Sequence, residues 1–246
     1  MRAKIIVTVL VAIALASATI AWAMTRPRPA SVVVDTGVSL ADGQLLVRDT
    51  ATGRLARVAA DGTRAQSKLS CLRAYATHEV GACLRRSPGV FGAFELAVVD
   101  ARLDVVRTVP LAGVPTRVRI STDGRFIGWT VFVSGHSYTD ETYSTQSSLL
   151  DLKTDELTAN LESFRVDGRK AARDANYWGI SFAADDRTFY ATLSTGGVYY
   201  LVKGDVPRRS ITVIADGVEC PSLSPDGTRV VYKLRQKDLT WRLWVM

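Results

Sequence analysis

Three segments of the chain share one pattern, and this repeated pattern restricts the fold more than any other feature of the sequence. Residues 116–129, 178–191 and 220–232 each combine a short alternating strand, a tight turn centred on Asp-Gly or a close relative, and a second apolar strand. Asp-Gly supplies residues that tolerate positive φ, which a two-residue hairpin turn requires. Self-similarity on this scale indicates a repeat architecture.

Further strands extend these hairpins. A third strand usually ends in Asp and a turn, as at residues 45–49, 94–100 and 148–151, and a fourth strand closes the unit, as at 105–109 and 211–214. Four antiparallel strands in a repeat of about forty to forty-five residues are typical of a propeller blade. No stretch after residue 30 has sustained helical periodicity, so the prediction is an all-β fold.

Residues 223–232, Leu-Ser-Pro-Asp-Gly-Thr-Arg-Val-Val-Tyr, resemble the repeat of the TolB-like (PD40, WD40-like) β-propeller family, and the other two segments resemble diverged copies. The resemblance covers most of residues 31–246 at the level of blades. It implies a six-bladed ring of four-stranded antiparallel blades that acts as an interaction platform in the cell envelope, in a family with no shared enzymatic activity. The chain lacks room for the separate N-terminal α/β domain of TolB itself, so the resemblance does not imply a literal role in Tol-dependent translocation.

A strand count predicts an incomplete propeller of about four to five blades in residues 31–246. The N-terminal stretch supplies the last two strands of a blade, three full blades follow at 66–112, 113–166 and 176–217, and a final three-stranded unit reaches residues 241–246. Six four-stranded blades need more strands than these, so we expect the chain to be short of a full ring by about seventy residues. The alternative is a smaller ring in which the N-terminal strands seal the last blade.

The first thirty residues have the features of an export segment. Arg2 and Lys4 precede an uncharged hydrophobic run that reaches residue 24, and small alanines flank Trp22 in the way that a signal peptidase accepts. A run of about twenty apolar residues also suffices for an uncleaved membrane-anchoring helix, so signal peptide and anchor helix both remain open for residues 1–24. Residues 25–30 predict a stiff linker. In either case the rest of the chain is expected to be extracytoplasmic, either membrane-anchored or secreted.

The charge pattern argues against a nucleic-acid partner. The formal net charge is +7, but the arginines are scattered singly or in pairs and no basic stripe or groove motif is present. We therefore expect no nucleic-acid binding. A mildly basic surface that faces anionic lipid or cell-wall polymer accounts for the excess positive charge equally well.

The loop between residues 134 and 145 is the candidate partner-binding site. Long loops that project from a rigid blade are where propellers usually bind other molecules. The chemistry-bearing residues of this loop form an amphipathic set suited to recognition: His136, Ser137, Tyr138, Asp140, Glu141 and Tyr143. The alternative is a solvated hairpin tip without a partner.

The start of this loop also imitates the nucleophile elbow G-x-S-x-G of serine hydrolases, with Ser137 at the position of the nucleophile. The elbow needs a strand-to-helix turn, whereas a polar loop follows here and Thr139 replaces the second glycine. The only other histidine besides His136 is His78, which lies far away in sequence. We therefore predict no catalytic residues and no enzymatic activity.

Cofactor and metal sites are not expected. The two histidines and three cysteines are dispersed, without C-x-x-C or H-x-x-x-H spacing, and an acidic pair such as Asp185-Asp186 fits turn geometry better than a Ca²⁺ cage. Cys71 and Cys83 fall on what should be neighbouring strands of one blade. A disulfide between them is our hypothesis, with two buried thiols as the alternative. Cys220 is expected to be a core thiol.

Together these features predict a non-enzymatic envelope propeller that binds a protein or a cell-wall component through one face. One alternative is an enzymatic or enzyme-associated propeller, such as a lactonase, another propeller-type hydrolase or the regulatory propeller of a peptidase. A further alternative is a protein that binds a small ligand or a glycan.

Overall fold

The computed structural model of the chain describes residues 12–19, 21–22, 38–40, 45–77, 79–89, 92–135, 143–236, 238 and 240–246. The chain divides into two compact units, Met1–Val33 and Val34–Met246. In the first unit, the described residues 12–19 and 21–22 are helical. Within the described residues, we find no helix with the length and apolar character needed to cross a membrane. The linker predicted at 25–30, and much of the segment predicted at 1–24, lie outside the described residues.

The regular elements in the described part of the second unit are strands, apart from one short 3-10 helix at Leu161–Ser163, which confirms the all-β prediction. Its strands form five sheets that follow one another along the chain. The first sheet contains β1 (Leu45–Arg48), β2 (Arg54–Val58) and β3 (Arg64–Ser70). The second contains β4 (Arg73–Ala76), β5 (Gly81–Arg86), β6 (Phe94–Val99) and β7 (Val105–Leu111). The third contains β8 (Val114–Ile120), β9 (Phe126–Ser134), β10 (Ser144–Asp151) and β11 (Leu157–Thr158).

The last two sheets differ in size. The fourth contains β14 (Asn176–Phe182), β15 (Thr188–Thr195), β16 (Val198–Asp205) and β17 (Ser210–Asp216). A small hairpin of β12 (Arg165–Val166) and β13 (Arg169–Lys170) joins this sheet, because β12 pairs in parallel with β17. The fifth contains β18 (Glu219–Leu223), β19 (Val230–Arg235) and β20 (Trp241–Val245). All other strand pairs are antiparallel.

The first strands of successive sheets lie side by side. β4 contacts β8, β8 contacts β14, and β14 contacts β18. The apolar faces of neighbouring sheets therefore bury one another; for example, Leu84 and Leu96 of the second sheet share a core cluster with Ile127 and Trp129 of the third. Sheets stacked in this way through their first strands are the blades of a propeller.

Aspartate side chains shape the turn that follows the first strand of a sheet. Asp123 Oδ1 accepts hydrogen bonds from the Arg125 N–H and the Ser121 hydroxyl, both at 2.8 Å. Asp185 and Asp226 make comparable bonds in the fourth and fifth sheets. A carboxylate that bonds backbone groups two residues ahead mimics a backbone turn, which explains the repeated Asp of the sequence pattern.

The first boundary that differs from prediction lies between the first two sheets. The blade predicted at 66–112 begins inside β3, but β3 pairs with β2 and belongs to the first sheet. Asp61 closes the turn between these strands by accepting a hydrogen bond from the Thr63 N–H at 2.9 Å, which makes β2 and β3 a hairpin. The second sheet therefore begins at Arg73.

The second such boundary lies at the end of the blade predicted at 113–166. Strand β11 has only two residues, and the chain then leaves the third sheet. Leu161 and Phe164 are 0% and 1% exposed and join a core cluster that residues of the third and fourth sheets share. The sequence between β11 and β14 thus packs between the two sheets and does not continue the third sheet as a strand.

Candidate binding cavity

All five sheets contribute to one cavity of about 710 Å³. It lies at the ends of the first strands, beside the aspartate turns, because its lining includes both β-strand residues and the turn residues that follow them. The lining residues of the last four sheets are Ala74–Thr77, Arg119–Thr122, Ser181, Phe182, Ala184 and Ser222–Pro225. The first sheet and the segment before it add Ser39, Leu40, Leu46–Arg48, Leu55 and Arg57. A cavity of this size is within the range of ligand-binding clefts.

Among the described residues, the charged members of this lining are three arginines, which come from three separate strands: Arg48 from β1, Arg57 from β2 and Arg119 from β8. Arg48 Nε donates to the Cys71 carbonyl at 2.6 Å, and Arg57 donates to the Ser39 hydroxyl at 3.2 Å. Among the described residues, no carboxylate lies within ion-pair distance of any of these arginines. The cavity therefore has a positive wall.

Arg119 is half-buried and stacks on an aromatic ring. Its guanidinium carbon lies 4.8 Å from the ring centroid of Tyr75, which is the geometry of a cation–π contact. Burial lowers the pKa of Arg119; the Tyr75 side chain opposes this effect, and the neighbouring Arg117 adds to it. The Tyr75 ring thus holds the guanidinium plane in place while its charge lacks a neutralising carboxylate.

Hydroxyl groups complete the polar part of the lining. Ser181 Oγ accepts a hydrogen bond from the Leu223 N–H at 3.0 Å, so it links the fourth and fifth sheets. Its own hydrogen is left to donate toward the cavity, since a hydroxyl can accept and donate at once. Apolar residues such as Leu40 and Phe182 form the remaining wall.

Acidic turn residues lie outside this lining. Asp123 and Asp186, from turns of the third and fourth sheets, approach each other, and the Asp123 N–H donates to Asp186 Oδ1 at 3.3 Å. Burial and the adjacent Asp123 raise the pKa of Asp186. Burial also acts to raise the pKa of Asp123. Hydrogen bonds from Arg125, Asp186 and Ser121 outweigh burial, so the pKa of Asp123 is lowered. The two carboxyl groups therefore titrate at different pH values.

The described residues that border the predicted partner-binding loop do not line this cavity. β9 begins at Phe126 beside the turn that lines the cavity and runs away from it to Ser134, the last strand residue before the predicted loop. The described end of the loop, Tyr143, is half-buried, with its ring 6.2 Å from Phe132 and 6.0 Å from Trp178. The other predicted loop residues lie outside the described residues, as does the second histidine: His136, Ser137, Tyr138, Asp140, Glu141 and His78.

Cys71 and Cys83 are joined by a disulfide, with their Cα atoms 5.4 Å apart. Cys83 lies on β5, and Cys71 lies just before β4, so the bond ties the entry of the second sheet to its second strand. Cys220 is free and half-buried. Within the described residues, no group of three His, Cys, Asp or Glu side chains is placed to hold a metal ion.

Sequence reasoning missed the cavity arginines. Each of them lies in a strand next to apolar residues, as in Val118-Arg119-Ile120, and this alternation is also the pattern of a solvated strand face. The one available signal was the position of Arg119 in the sequence, two residues before the turn at Ser121–Gly124. This turn marks the end of the first strand of a sheet. That signal becomes useful only once the sheets are known to stack.

Comparisons with known proteins bear on the fold. No protein-family model matches the chain, and no curated protein matches it in sequence. Solved structures do match. TolB from Acinetobacter baumannii is 18% identical at a TM-score of 0.55, and the match covers 82% of this chain and 48% of that protein. A protein assigned as TolB from Agrobacterium tumefaciens is 16% identical at a TM-score of 0.57, with coverage of 87% and 75%.

A puromycin-hydrolyzing peptidase from Mycobacterium tuberculosis is also similar, with 14% identity, a TM-score of 0.55, and coverage of 82% of this chain and 35% of that one. The chain thus spans about half the length of the Acinetobacter protein and about a third of the peptidase. Identities this low establish a common architecture and leave activity open. The chain has the β-propeller fold of the TolB-like proteins, as the repeat motif predicts.

Proposed function

We propose that the chain is a non-enzymatic TolB-like propeller of the cell envelope, which binds a protein or a cell-wall component through the end that carries the cavity. The observation that carries this proposal is the cavity itself, because every sheet contributes to its lining. A recess built from several rigid blades is pre-organised for binding, and its walls combine apolar residues with a few polar groups, as ligand sites do.

Two features support a location outside the cytoplasm. The basic residues and hydrophobic run of residues 1–24 have the composition of a signal peptide or anchor helix. The disulfide between Cys71 and Cys83 would persist in an oxidising compartment and would be reduced in most cytosols. The extracytoplasmic assignment rests on these two features together.

The competing candidate is a propeller-type hydrolase, a lactonase or the regulatory propeller of a peptidase. It is supported by the similarity in fold to the Mycobacterium tuberculosis peptidase, at 14% identity. Hydrolysis of generic esters by the purified protein, lost on Ser137→Ala, would establish the hydrolase and refute our proposal. We expect the wild type and the variant to be equally inactive.

Site-specific photo-cross-linking in the producing cell tests the platform directly. A photoreactive residue is placed at Thr122 on the cavity, at Tyr143 in the predicted loop and at the exposed Arg102 on an outer turn as a control. We expect a discrete adduct with an envelope component from position 122 and none from position 102. Adducts from position 143 alone would move the site to the loop and refute the cavity assignment. Equal labelling at all three positions, or none, would refute the platform.

A further inference from the structure

We propose that the cavity binds a short acidic peptide segment, whose carboxylates contact Arg48, Arg57 and Arg119. This inference rests on the proposed function and specifies the chemistry of the partner. The occupant is a peptide, and not a free inorganic anion, because the cavity offers apolar wall as well as positive charge.

The first argument is the contrast between these arginines and others in the same chain. Outside the cavity, several partly buried arginines are neutralised by carboxylates at hydrogen-bond distance: Arg85 by Glu95 at 2.8 Å, Arg125 by Asp151 at 2.7 Å and Arg187 by Asp205 at 2.7 Å. Arg57 and Arg119 are likewise partly buried, Arg48 is exposed, and none of the three has such a partner among the described residues. Positive charges that line one recess without a counter-ion favour the entry of an anion.

The second argument is the number of unused donors. A guanidinium carries five N–H groups in a fork that fits a carboxylate in a bidentate manner. Arg48 directs its Nε to the Cys71 carbonyl, Arg57 uses one terminal nitrogen on Ser39, and Arg119 donates one bond to the Val118 carbonyl at 3.1 Å. These bonds fix the orientation of each side chain and leave further N–H groups for a ligand.

The third argument is that carboxylates of the turns beside the lining are already engaged. Asp123 accepts bonds from its own turn, and Asp226 accepts bonds from the Ser224 hydroxyl and the Thr228 N–H. These aspartates therefore serve the turns and are not the counter-ions of Arg48 or Arg57. The positive charge inside the cavity stays available to a partner.

The fourth argument concerns shape and polarity. About 710 Å³ accommodates a few side chains of a peptide, and the volume far exceeds that of a single carboxylate. Leu46, Leu55, Phe182 and Leu223 line the same space, so apolar side chains that flank the acidic residues have surfaces to cover. Ser181 adds a neutral hydrogen-bond donor. The lining thus suits alternating acidic and apolar residues.

Titration calorimetry with a synthetic hexapeptide of alternating aspartate and leucine tests the inference. The matched ligand has asparagine in place of each aspartate, and glutarate serves as a free dicarboxylate. We expect the acidic peptide to bind at least tenfold more tightly than either, with affinity that falls as salt rises. Arg119→Gln should weaken its binding about tenfold, whereas Arg102→Gln, which removes the same charge from an exposed turn, should leave it unchanged.

Arg57→Gln provides a second variant in case the loss of the Arg119–Tyr75 stack disturbs folding, which circular dichroism would reveal. Equal affinity for the two peptides, equal effects of the cavity and control variants, or no binding at all would overturn the inference. Glutarate binding as tight as the peptide would also overturn it, in favour of a small carboxylate. If any of these results appears while cross-linking from Thr122 persists, the platform stands and only the acidic chemistry fails.

Discussion

The third and fifth sheets use the same turn, yet the structure buries them very differently. In the third sheet the Ser121 N–H bonds the Phe126 carbonyl, and in the fifth the Ser224 N–H bonds the Arg229 carbonyl, with 2.8 Å in both cases. After this turn, the second and third strands of each sheet pair in the same register. The third strand of the third sheet, β10, is largely buried, whereas every residue of β20, the third strand of the fifth sheet, is exposed. The most recognisable repeat in the sequence therefore lies in the least buried sheet.

Equivalent positions make the contrast quantitative. Leu149 pairs with Gly128, the second residue after the turn-closing Phe126, and is 2% exposed. Val245 pairs with Val231, which occupies the same place after Arg229, and is 58% exposed. The motif thus determines the local hairpin, whereas the neighbouring blade determines how much apolar surface the hairpin buries.

The largest expected effect follows from this pair. Leu149→Ala should lower the free energy of unfolding by about 2–5 kcal/mol, because it leaves a cavity in a packed core. Val245→Ala should change it by less than about 0.5 kcal/mol, since little surface is lost. Urea denaturation followed by tryptophan fluorescence measures both. Similar losses for the two variants would show that β20 is as well packed as β10.

A second comparison uses the cysteines. Replacing Cys71 and Cys83 together by alanine should cost about 2–4 kcal/mol, because the bond restrains the unfolded chain across a sequence separation of 12 residues. Cys220→Ala, in the fifth sheet, should have a much smaller effect because its thiol is unbridged. Thermal denaturation with and without reductant measures the difference. In a separate test, the free thiols of the wild type are alkylated before reduction. If reduction then leaves the mass unchanged, the bridge does not form.

A third comparison concerns an ion pair that the fifth sheet lacks. Arg125 makes a bidentate bond to Asp151, and Thr228 occupies the equivalent turn position in the fifth sheet. Burial raises the pKa of Asp151, but the bonds from Arg125 and from the turn outweigh burial and hold it below the ordinary 3.8. The stability that Asp151 contributes is therefore present above pH 3.8 and is lost as the pH falls through its lowered pKa.

Arg125→Gln should accordingly reduce the free energy of unfolding by about 1–2 kcal/mol at neutral pH and by less in acid. Arg229→Gln is the control, since no carboxylate among the described residues pairs with Arg229. Denaturation curves at several pH values measure both variants. A loss for Arg125→Gln that does not shrink in acid would contradict the role given to Asp151.

The smallest expected effect lies in the fifth sheet. Glu219 is 3% exposed, and its Oε1 has no hydrogen-bond partner among the described residues. Burial raises the pKa of Glu219, although Lys233, with 3.9 Å between Nζ and the carboxylate, and Arg235 oppose this. The stability linked to a raised carboxyl pKa is present below the ordinary value of 4.5 and is lost as the pH rises through the folded pKa.

Glu219→Gln should therefore raise the free energy of unfolding at pH 7 by about 1 kcal/mol, with a gain that disappears in acid. Glu156→Gln, at an exposed turn, serves as the control and should change little. Denaturation at pH 7 and pH 4 measures the two variants. A destabilised Glu219→Gln at pH 7 would mean that the contact with Lys233 outweighs the cost of burial.

The propeller was predictable because its determinants are local. Alternating strands and Asp turns act within about ten residues, so the hairpins at 121–127 and 224–230 could be identified from the sequence alone. The sheet to which β3 belongs and the hairpin β12–β13 were not identified. β3 pairs back onto β2 through the turn at Asp61, which resembles any other hairpin turn, so the sequence did not reveal that it closes the first sheet. The hairpin around Asp167 is assigned to its sheet only by pairing with the distant strand β17.

The cavity was not predictable from sequence for a different reason. Arg48, Arg57 and Arg119 are brought together by the stacking of sheets, and nothing local distinguishes them from solvated strand residues. The predicted site, the loop around Ser137, was chosen by its length and polarity, which are properties that a sequence displays. It stays a prediction, because most of that loop lies outside the described residues.

The parallel pairing of β12 with β17 has a consequence for how this protein can be divided. In a simple propeller, each blade is a unit that gene duplication or protein engineering can add or remove. Here the chain that leaves the third sheet places Leu161 and Phe164 in a core cluster that the third and fourth sheets share. A cut between residues 158 and 176 would separate core residues on which both sheets depend. The third and fourth blades are therefore expected to unfold, recombine and evolve as one piece.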